Sequence, residues 1–184
     1  ENDNQKKTYT GISCIHLDAF DNLWIGTPTQ GLLRYTNKAE FKSFVYKKED
    51  KNSITAGWVS KIYENKQGKV WMVSQNGLDE FDPIKNILTP YPFDVIMPEF
   101  SYGNAVGQYS DEEILIRTNK GHYLFDTNTK VYKKITLDAK LEKIPLTNLK
   151  MDSRGNQWYC TPYGAFIKIK NKKTVQHIDL EKLP

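Results

Sequence analysis

Short apolar runs, separated by polar turn residues, dominate the pattern of this 184-residue chain. The first group of runs covers residues 12–17, 23–27, 31–35 and 41–46. Runs of this length bounded by Gly, Pro, Asn and Asp are typical of β-strands, whereas amphipathic helices place apolar residues every three to four positions. Aromatic residues make up 12% of the chain and fit half-buried pleated surfaces. The pattern therefore predicts an all-β fold.

The group of four runs is repeated along the chain. One position is occupied by Trp24, Trp71, Leu115 and Trp158, at intervals of 47, 44 and 43 residues. Four short strands in about 45 residues are typical of one β-propeller blade. The sequence thus predicts four four-stranded antiparallel blades in a single propeller segment over residues 1–184. The predicted blades cover about 11–47, 58–92, 104–136 and 147–179.

Each repeated residue has a predicted structural task. The Asp or Asn six residues before the tryptophan can accept hydrogen bonds from backbone amides in the first turn. One set of glycines ends that turn, and another follows the second turn, where positive φ costs little. The tryptophan lies on the second strand, and its face is expected to wedge between adjacent blades. The predicted structural set is Asp18, Trp24, Gly31, Asn65, Gly68, Trp71, Gly77, Leu115, Gly121, Asp152, Gly155, Trp158 and Gly164.

Two of the four units resemble a known repeat closely. Residues 18–35 read DAFDNLWIGTPTQGLLRY, and residues 68–83 contain GKVW followed by GLDEFDP. Both resemble the two-component regulator propeller repeat, and the connector over residues 46–59 resembles the link between units of that family. The fourth unit is a fair match. The third lacks the tryptophan and has Arg117 where the family has a small residue.

This resemblance implies a place and a role. Propellers of that family form the periplasmic sensor region of hybrid two-component histidine kinases of Bacteroidetes, and they resemble proteins that detect glycan fragments. The resemblance implies a non-catalytic, extracytoplasmic part of an inner-membrane protein, with an oligosaccharide as ligand and no cofactor. The parent protein would be a histidine kinase.

The number of units bears on closure of the ring. Propellers of that family usually have seven blades, and a closed ring normally borrows one strand so that no open edge remains. The four units here are in phase from beginning to end, with no displaced strand visible. We therefore expect a segment of a larger propeller whose open edge is covered by self-association or by further blades of the parent chain.

Candidate chemistry is sparse. The histidines His16, His122 and His177 fall in three separate units and form no catalytic or metal-binding motif. The two cysteines, Cys14 and Cys160, are widely separated, so neither a disulfide framework nor a zinc site is indicated, and their pairing is left open. The sequence predicts no catalytic residue and no metal site.

Binding residues are expected on loops, because the strands of a propeller are occupied with packing. The loop between the second and third strands and the connector between blades are expected to share one face. The candidate ligand-binding residues near that face are Trp58, Asn76, Lys120, His122 and Tyr163.

Two other functions stay open at this point. A propeller enzyme of the streptogramin-lyase type would need a histidine and carboxylates gathered at one mouth with a divalent metal, and His122 is the histidine to follow. A protein–protein interaction module would use a propeller face or an open blade edge. A net charge of +4 carried by scattered lysines does not indicate a nucleic-acid partner.

Overall fold

The computed structural model describes residues 11–36, 38–93, 103–118, 120–137, 139–142, 144–152, 154–161, 166–170 and 174–178. The chain divides into two compact units, Glu1–Pro92 and Phe93–Pro184. The described part contains sixteen strands and one helix of four residues, so the predicted all-β fold is confirmed. No helix among these residues has the length and apolar character needed to cross a membrane.

The first unit contains two four-stranded antiparallel meanders, here called repeat 1 and repeat 2. In each, consecutive strands pair with one another. The strands of repeat 1 are β1 (Cys14–Leu17), β2 (Leu23–Gly26), β3 (Leu32–Tyr35) and β4 (Phe41–Phe44). Those of repeat 2 are β5 (Val59–Glu64), β6 (Val70–Ser74), β7 (Gly77–Asp82) and β8 (Ile87–Pro92).

The second unit contains repeats 3 and 4, which have the same strand order. Their first strands are linked by one parallel pairing, between Gly107 and Leu149. The strands of repeat 3 are β9 (Gly103–Gln108), β10 (Glu113–Thr118), β11 (Gly121–Asp126) and β12 (Tyr132–Ile135). A short helix, α1 (Ala139–Glu142), precedes repeat 4, which consists of β13 (Asn148–Met151), β14 (Gln157–Cys160), β15 (Phe166–Lys170) and β16 (Thr174–Ile178).

The aspartate of the first turn fixes both that turn and the tryptophan after it. In repeat 1 the Asp18 carboxylate accepts hydrogen bonds from the backbone N–H of Phe20 and of Asn22, each at 2.9 Å. Its second oxygen accepts the indole N–H of Trp24 at 2.7 Å. Burial acts to raise the pKa of Asp18, but the hydrogen bonds from Trp24 and Asn22 outweigh it and hold the pKa below its usual value.

Repeat 4 contains the same arrangement. The Asp152 carboxylate accepts the backbone N–H of Arg154 at 3.0 Å and the indole N–H of Trp158 at 3.0 Å. The spacing of six residues between the acid and the tryptophan therefore places a charged acceptor beside the indole, in addition to the role in the turn.

Trp24 lies between the two repeats of the first unit. Its side chain is fully buried, and its ring contacts Phe81 of repeat 2 edge-on at a centroid distance of 4.9 Å. The Arg34 guanidinium carbon lies 5.6 Å from the Trp24 ring centroid and 5.0 Å from that of Phe81. Aromatic pairs and cation–π contacts of this kind add to the free energy gained from burying apolar area. The core around Trp24 is completed by Leu32, Ile54, Val59, Val70 and Met72.

The second unit is held together by the equivalent contact, with leucine in place of tryptophan. Leu115 of repeat 3 is fully buried and belongs to one core cluster with Leu149 and Tyr159 of repeat 4. The connector between the repeats adds Leu141 of the helix α1 to the same cluster. A smaller side chain at the tryptophan position is thus accompanied by a connector that contributes apolar side chains of its own.

Position 31, directly before β3, requires glycine because of its backbone conformation and because of the atoms packed around it. Its φ is +81°, and a Cβ there would overlap the Phe44 carbonyl oxygen and lie 2.8 Å from Ile54 Cδ1. We expect Gly31→Ala to lower the free energy of unfolding by about 2–5 kcal/mol, because left-handed strain and overpacking add. Gly155→Ala is the matched control: its φ is +75° with nothing within 4 Å of the added Cβ, so only about 1–2 kcal/mol is expected. Urea denaturation measures both, and equal losses would contradict the steric account.

Candidate functional site

In the first unit, three loop segments meet at one end of the strands. The Gly31 N–H donates to the Gly57 carbonyl at 2.7 Å, which joins the β2–β3 loop to the connector before β5. The Gln75 N–H donates to the Trp58 carbonyl at 3.1 Å, which joins the same connector to the β6–β7 turn. The two second-to-third-strand loops and the connector of this unit therefore share one end, here called the loop end.

Two of the predicted binding residues lie at the loop end. The Trp58 side chain is 43% exposed although its backbone is tied to the β6–β7 turn. Asn76, in that turn, is exposed. An exposed indole can stack on apolar C–H surface, and an exposed amide can hydrogen-bond to hydroxyl groups.

A buried carboxylate fixes the connector that carries Trp58. Asp79 on β7 is fully buried and accepts the Thr55 N–H at 2.9 Å and the Thr55 hydroxyl at 3.0 Å. The Ser74 hydroxyl donates to the same carboxylate at 2.7 Å. Burial raises the pKa of Asp79 from 3.8 to about 6, although these hydrogen bonds oppose the rise. The connector that carries Trp58 is thus held by a buried carboxylate on β7.

In the second unit, Lys120 and His122 have different surroundings. Lys120 is exposed in the β10–β11 turn, where its N–H donates to the Thr118 hydroxyl at 2.9 Å. His122 is only 3% exposed, and its Nδ1 lies 3.2 Å from the Glu142 carboxylate of helix α1. Burial lowers the pKa of His122, with the Glu142 carboxylate acting in the opposite direction. His122 therefore belongs to the packing between β11 and α1 and does not present a face to solvent.

The other residues singled out in the sequence are a tyrosine, a glycine and two cysteines. Tyr163 and Gly164 lie outside the described residues. Cys14 and Cys160 are both thiols, and burial raises the pKa of Cys14 to about 11. Within the described part of the chain, no group of three or more His, Cys, Asp and Glu side chains could hold a metal ion.

A separate hollow lies on one face of repeat 4. It has a volume of about 380 Å³ and opens on β13 and β14. Its lining residues are Asn148, Lys150, Met151, Asp152, Trp158 and Cys160.

The contacts that Asp79 makes with the Trp58 connector and that Glu142 makes with His122 were not predicted from the sequence. Asp79 lies inside the GLDEF run of the third strand, and its partner Thr55 is 24 residues earlier. A carboxylate inside the third strand of a predicted blade is the signal that could have identified it, because a buried charge needs partners. Nothing local marks Glu142, whose partner His122 is 20 residues away.

Several solved structures have a similar fold. The chain matches the extracellular domain of a protein described as a hybrid two-component system from B. thetaiotaomicron, with a TM-score of 0.68 and 20% identity over 94% of this chain and 24% of that one. A second such extracellular domain from B. thetaiotaomicron matches with a TM-score of 0.68 and 18% identity over 99% of this chain and 24% of that one. A gluconolactonase from Xanthomonas campestris matches with a TM-score of 0.61 and 8% identity over 89% of this chain and 60% of that one.

These similarities concern the fold. The chain spans about a quarter of the length of the two sensor domains. No protein-family model and no curated protein matches the sequence.

The raised pKa of Asp79 leads to a prediction about pH. The folded state holds the Asp79 proton more tightly than the unfolded state, so this group's contribution to stability is complete below about pH 4 and is lost as the pH rises through about 6. In Asp79→Asn the amide oxygen can still accept the Thr55 N–H without a buried charge. We expect the variant to gain stability relative to the wild type as the pH rises from 4 to 7, measured by urea denaturation at several pH values.

Asp82→Asn is the control for this experiment. Hydrogen bonds from the Lys85 and Ile84 backbone hold the pKa of Asp82 below its usual value, so no relative gain between pH 4 and 7 is expected. Parallel pH profiles of the wild type and Asp79→Asn would contradict the account of the Asp79 network.

Proposed function

We propose that this chain is a non-catalytic, extracytoplasmic ligand-sensing segment of a β-propeller from a two-component sensor kinase, and that it responds to glycan fragments. The observation that carries the proposal is the fold similarity to extracellular domains of two-component systems over at least 94% of the chain. The resemblance of its repeats to the two-component regulator propeller repeat supports the same assignment from independent evidence.

The repeat geometry supports the propeller architecture. All four repeats are antiparallel meanders of four strands. In each unit the residue at the tryptophan position packs against the following repeat, Trp24 on repeat 2 and Leu115 on repeat 4. Face-to-face packing of successive four-stranded sheets is the defining contact of propeller blades.

The loop end of the first unit is the proposed ligand surface. Its connector is fixed by Asp79 and by hydrogen bonds to both neighbouring loops, so Trp58 is held in place before a ligand arrives. Such preorganisation lowers the entropy lost on binding. The Trp58 indole would stack on the C–H face of a sugar ring, and Asn76 would bond to a hydroxyl. In a sensor kinase, a ligand that favours one arrangement of two sensor copies would bias the kinase.

An enzyme on the same fold is the second candidate, and the similarity to a gluconolactonase is the observation behind it. The two sensor domains match with higher TM-scores and over more of this chain, which favours sensing. An assay of lactone hydrolysis with added divalent cations distinguishes the two, because turnover of the lactone is expected only of the enzyme.

The sensing proposal predicts a ligand-dependent thermal shift. Among neutral and acidic oligosaccharides, at least one is expected to raise the melting temperature of the wild-type chain at saturation, because a ligand that binds only the folded state adds about 2.7 kcal/mol at a hundred times its Kd. Trp58→Ala should lose most of the shift. Phe20→Ala is the matched control, since Phe20 is 49% exposed in the β1–β2 turn at the opposite end of the repeat. No shift with any oligosaccharide, or an unchanged shift in Trp58→Ala, would overturn the proposed ligand surface.

A further inference from the structure

One buried carboxylate is bonded to both parts of the proposed ligand surface. Asp79 on β7 accepts the N–H and the hydroxyl of Thr55, which lies three residues before Trp58 in the connector. It also accepts the hydroxyl of Ser74, which lies two residues before Asn76 in the β6–β7 turn. The connector and the turn that carry the two exposed residues are therefore held by the same group.

The Thr55 side chain covers the Asp79 carboxylate. Gly77 and Asp79 face the same side of the sheet, because successive residues of a strand alternate between the two sides. A Cβ on Gly77 would lie 2.7 Å from Thr55 Cγ2, so Thr55 packs directly on this side of β7. Thr55 is 8% exposed and Asp79 is 0% exposed. Movement of the connector away from β7 would therefore admit water to the carboxylate.

Asp79 has no positively charged partner in the described part of the chain, since its three donors are one N–H and two hydroxyls. A buried carboxylate in such surroundings ionises less readily than in water, because neutral donors do not fully replace its hydration. Charged and titratable groups on the neighbouring strands have other contacts: Arg34 lies over the Trp24 and Phe81 rings, Lys42 lies over the Phe44 ring, the Cys14 thiol donates to the Val59 carbonyl, the charge of Lys61 acts on Cys14, and Glu80 bonds to Lys69 and Tyr91.

We propose that protonation of Asp79 closes the connector onto β7, so that the loop end is held firmly in acid and opens more often as the pH rises towards neutrality. The neutral acid keeps bonds to Thr55 and Ser74, whereas the ionised group gains hydration when the connector opens. The consequence for binding rests on the proposed function. A ligand that needs Trp58 in its closed position loses affinity in proportion to the fraction of chains that are open.

The pKa of Asp79 supports this direction. Burial raises it from 3.8 to about 6, against the hydrogen bonds from Ser74 and Thr55. In the open connector the carboxylate is hydrated and its pKa returns to the ordinary value, so the closed form binds the proton more tightly. The closed form therefore loses stability between about pH 4 and about pH 6, and the loss levels off above that range.

Amide hydrogen exchange, normalised to the rate of an unstructured chain at each pH, measures the opening. Two amides report on the connector: the Thr55 N–H bonds to Asp79, and the Gln75 N–H bonds to the Trp58 carbonyl. Their protection is expected to fall about fiftyfold between pH 4 and 7. The Asn65 N–H, which is hydrogen-bonded in the β5–β6 turn at the opposite end of repeat 2, is the control amide, and its protection should stay constant.

Three variants test whether Asp79 is the group responsible. Asp79→Asn should remove the pH dependence, because the amide oxygen still accepts the Thr55 N–H and the side chain does not ionise. Asp82→Asn, on the same strand, is the matched control and should follow the wild type. Thr55→Val has nearly the same shape and removes one donor to the carboxylate. The pKa of Asp79 should rise further in this variant, so protection should level off at a higher pH than in the wild type.

The outcomes separate this inference from the proposed function. Constant protection of the connector amides in the wild type, an equal fall at Asn65, an unchanged fall in Asp79→Asn, or an unchanged profile in Thr55→Val would overturn the proposed switch. All of these measurements are made on the chain without a ligand, so they do not bear on the oligosaccharide-dependent thermal shift. Absence of that shift would overturn the ligand surface and leave the opening of the connector unaffected.

Discussion

In each unit, packing of one side chain of the first repeat against the second repeat is the constraint on which the structure depends. Trp24 contacts Phe81 and the core around it, and Leu115 contacts Leu149 and Tyr159. A single four-stranded repeat cannot bury its apolar face by itself, so each sheet needs a neighbour. The tryptophan position therefore identifies the face of a sheet that packs against the next repeat.

The connector between the two packed repeats of the first unit carries the proposed ligand surface at the loop end. Repeats 1 and 2 pack face to face, and the connector between them is held by Asp79 and by the neighbouring loops. The Thr55 N–H and the Gly57 and Trp58 carbonyls are thereby paired, while the Trp58 side chain stays exposed at the loop end. Scaffold and proposed site are thus separate: strands supply packing, and the loops between them supply polar and aromatic groups for recognition.

The sequence was sufficient to predict the strands and their repetition, because alternation and period are local properties. It also identified Asp18 as a turn residue, through its bonds to nearby amides. The bond from Trp24 to Asp18 was missed, although the constant spacing of six residues was visible. His122 was assigned to an open surface because the turn at Lys120 is near in sequence, whereas its burial depends on Glu142 in a connector helix that no periodicity predicts. Whether a residue such as His122 is buried or exposed depends on contacts between segments that are distant along the chain, and these contacts cannot be derived from a single sequence.

A double-mutant cycle between Trp24 and Phe81 tests the central claim most directly. The measured quantities are the free energies of unfolding of the wild type, Trp24→Leu, Phe81→Leu and the double variant, from urea denaturation. If the two rings stabilise the pair of sheets together, a coupling energy of about 1–2 kcal/mol is expected. Trp24→Leu combined with Ile84→Ala, an exposed position, should be additive. Additivity for Trp24 and Phe81 within about 0.5 kcal/mol would contradict the account.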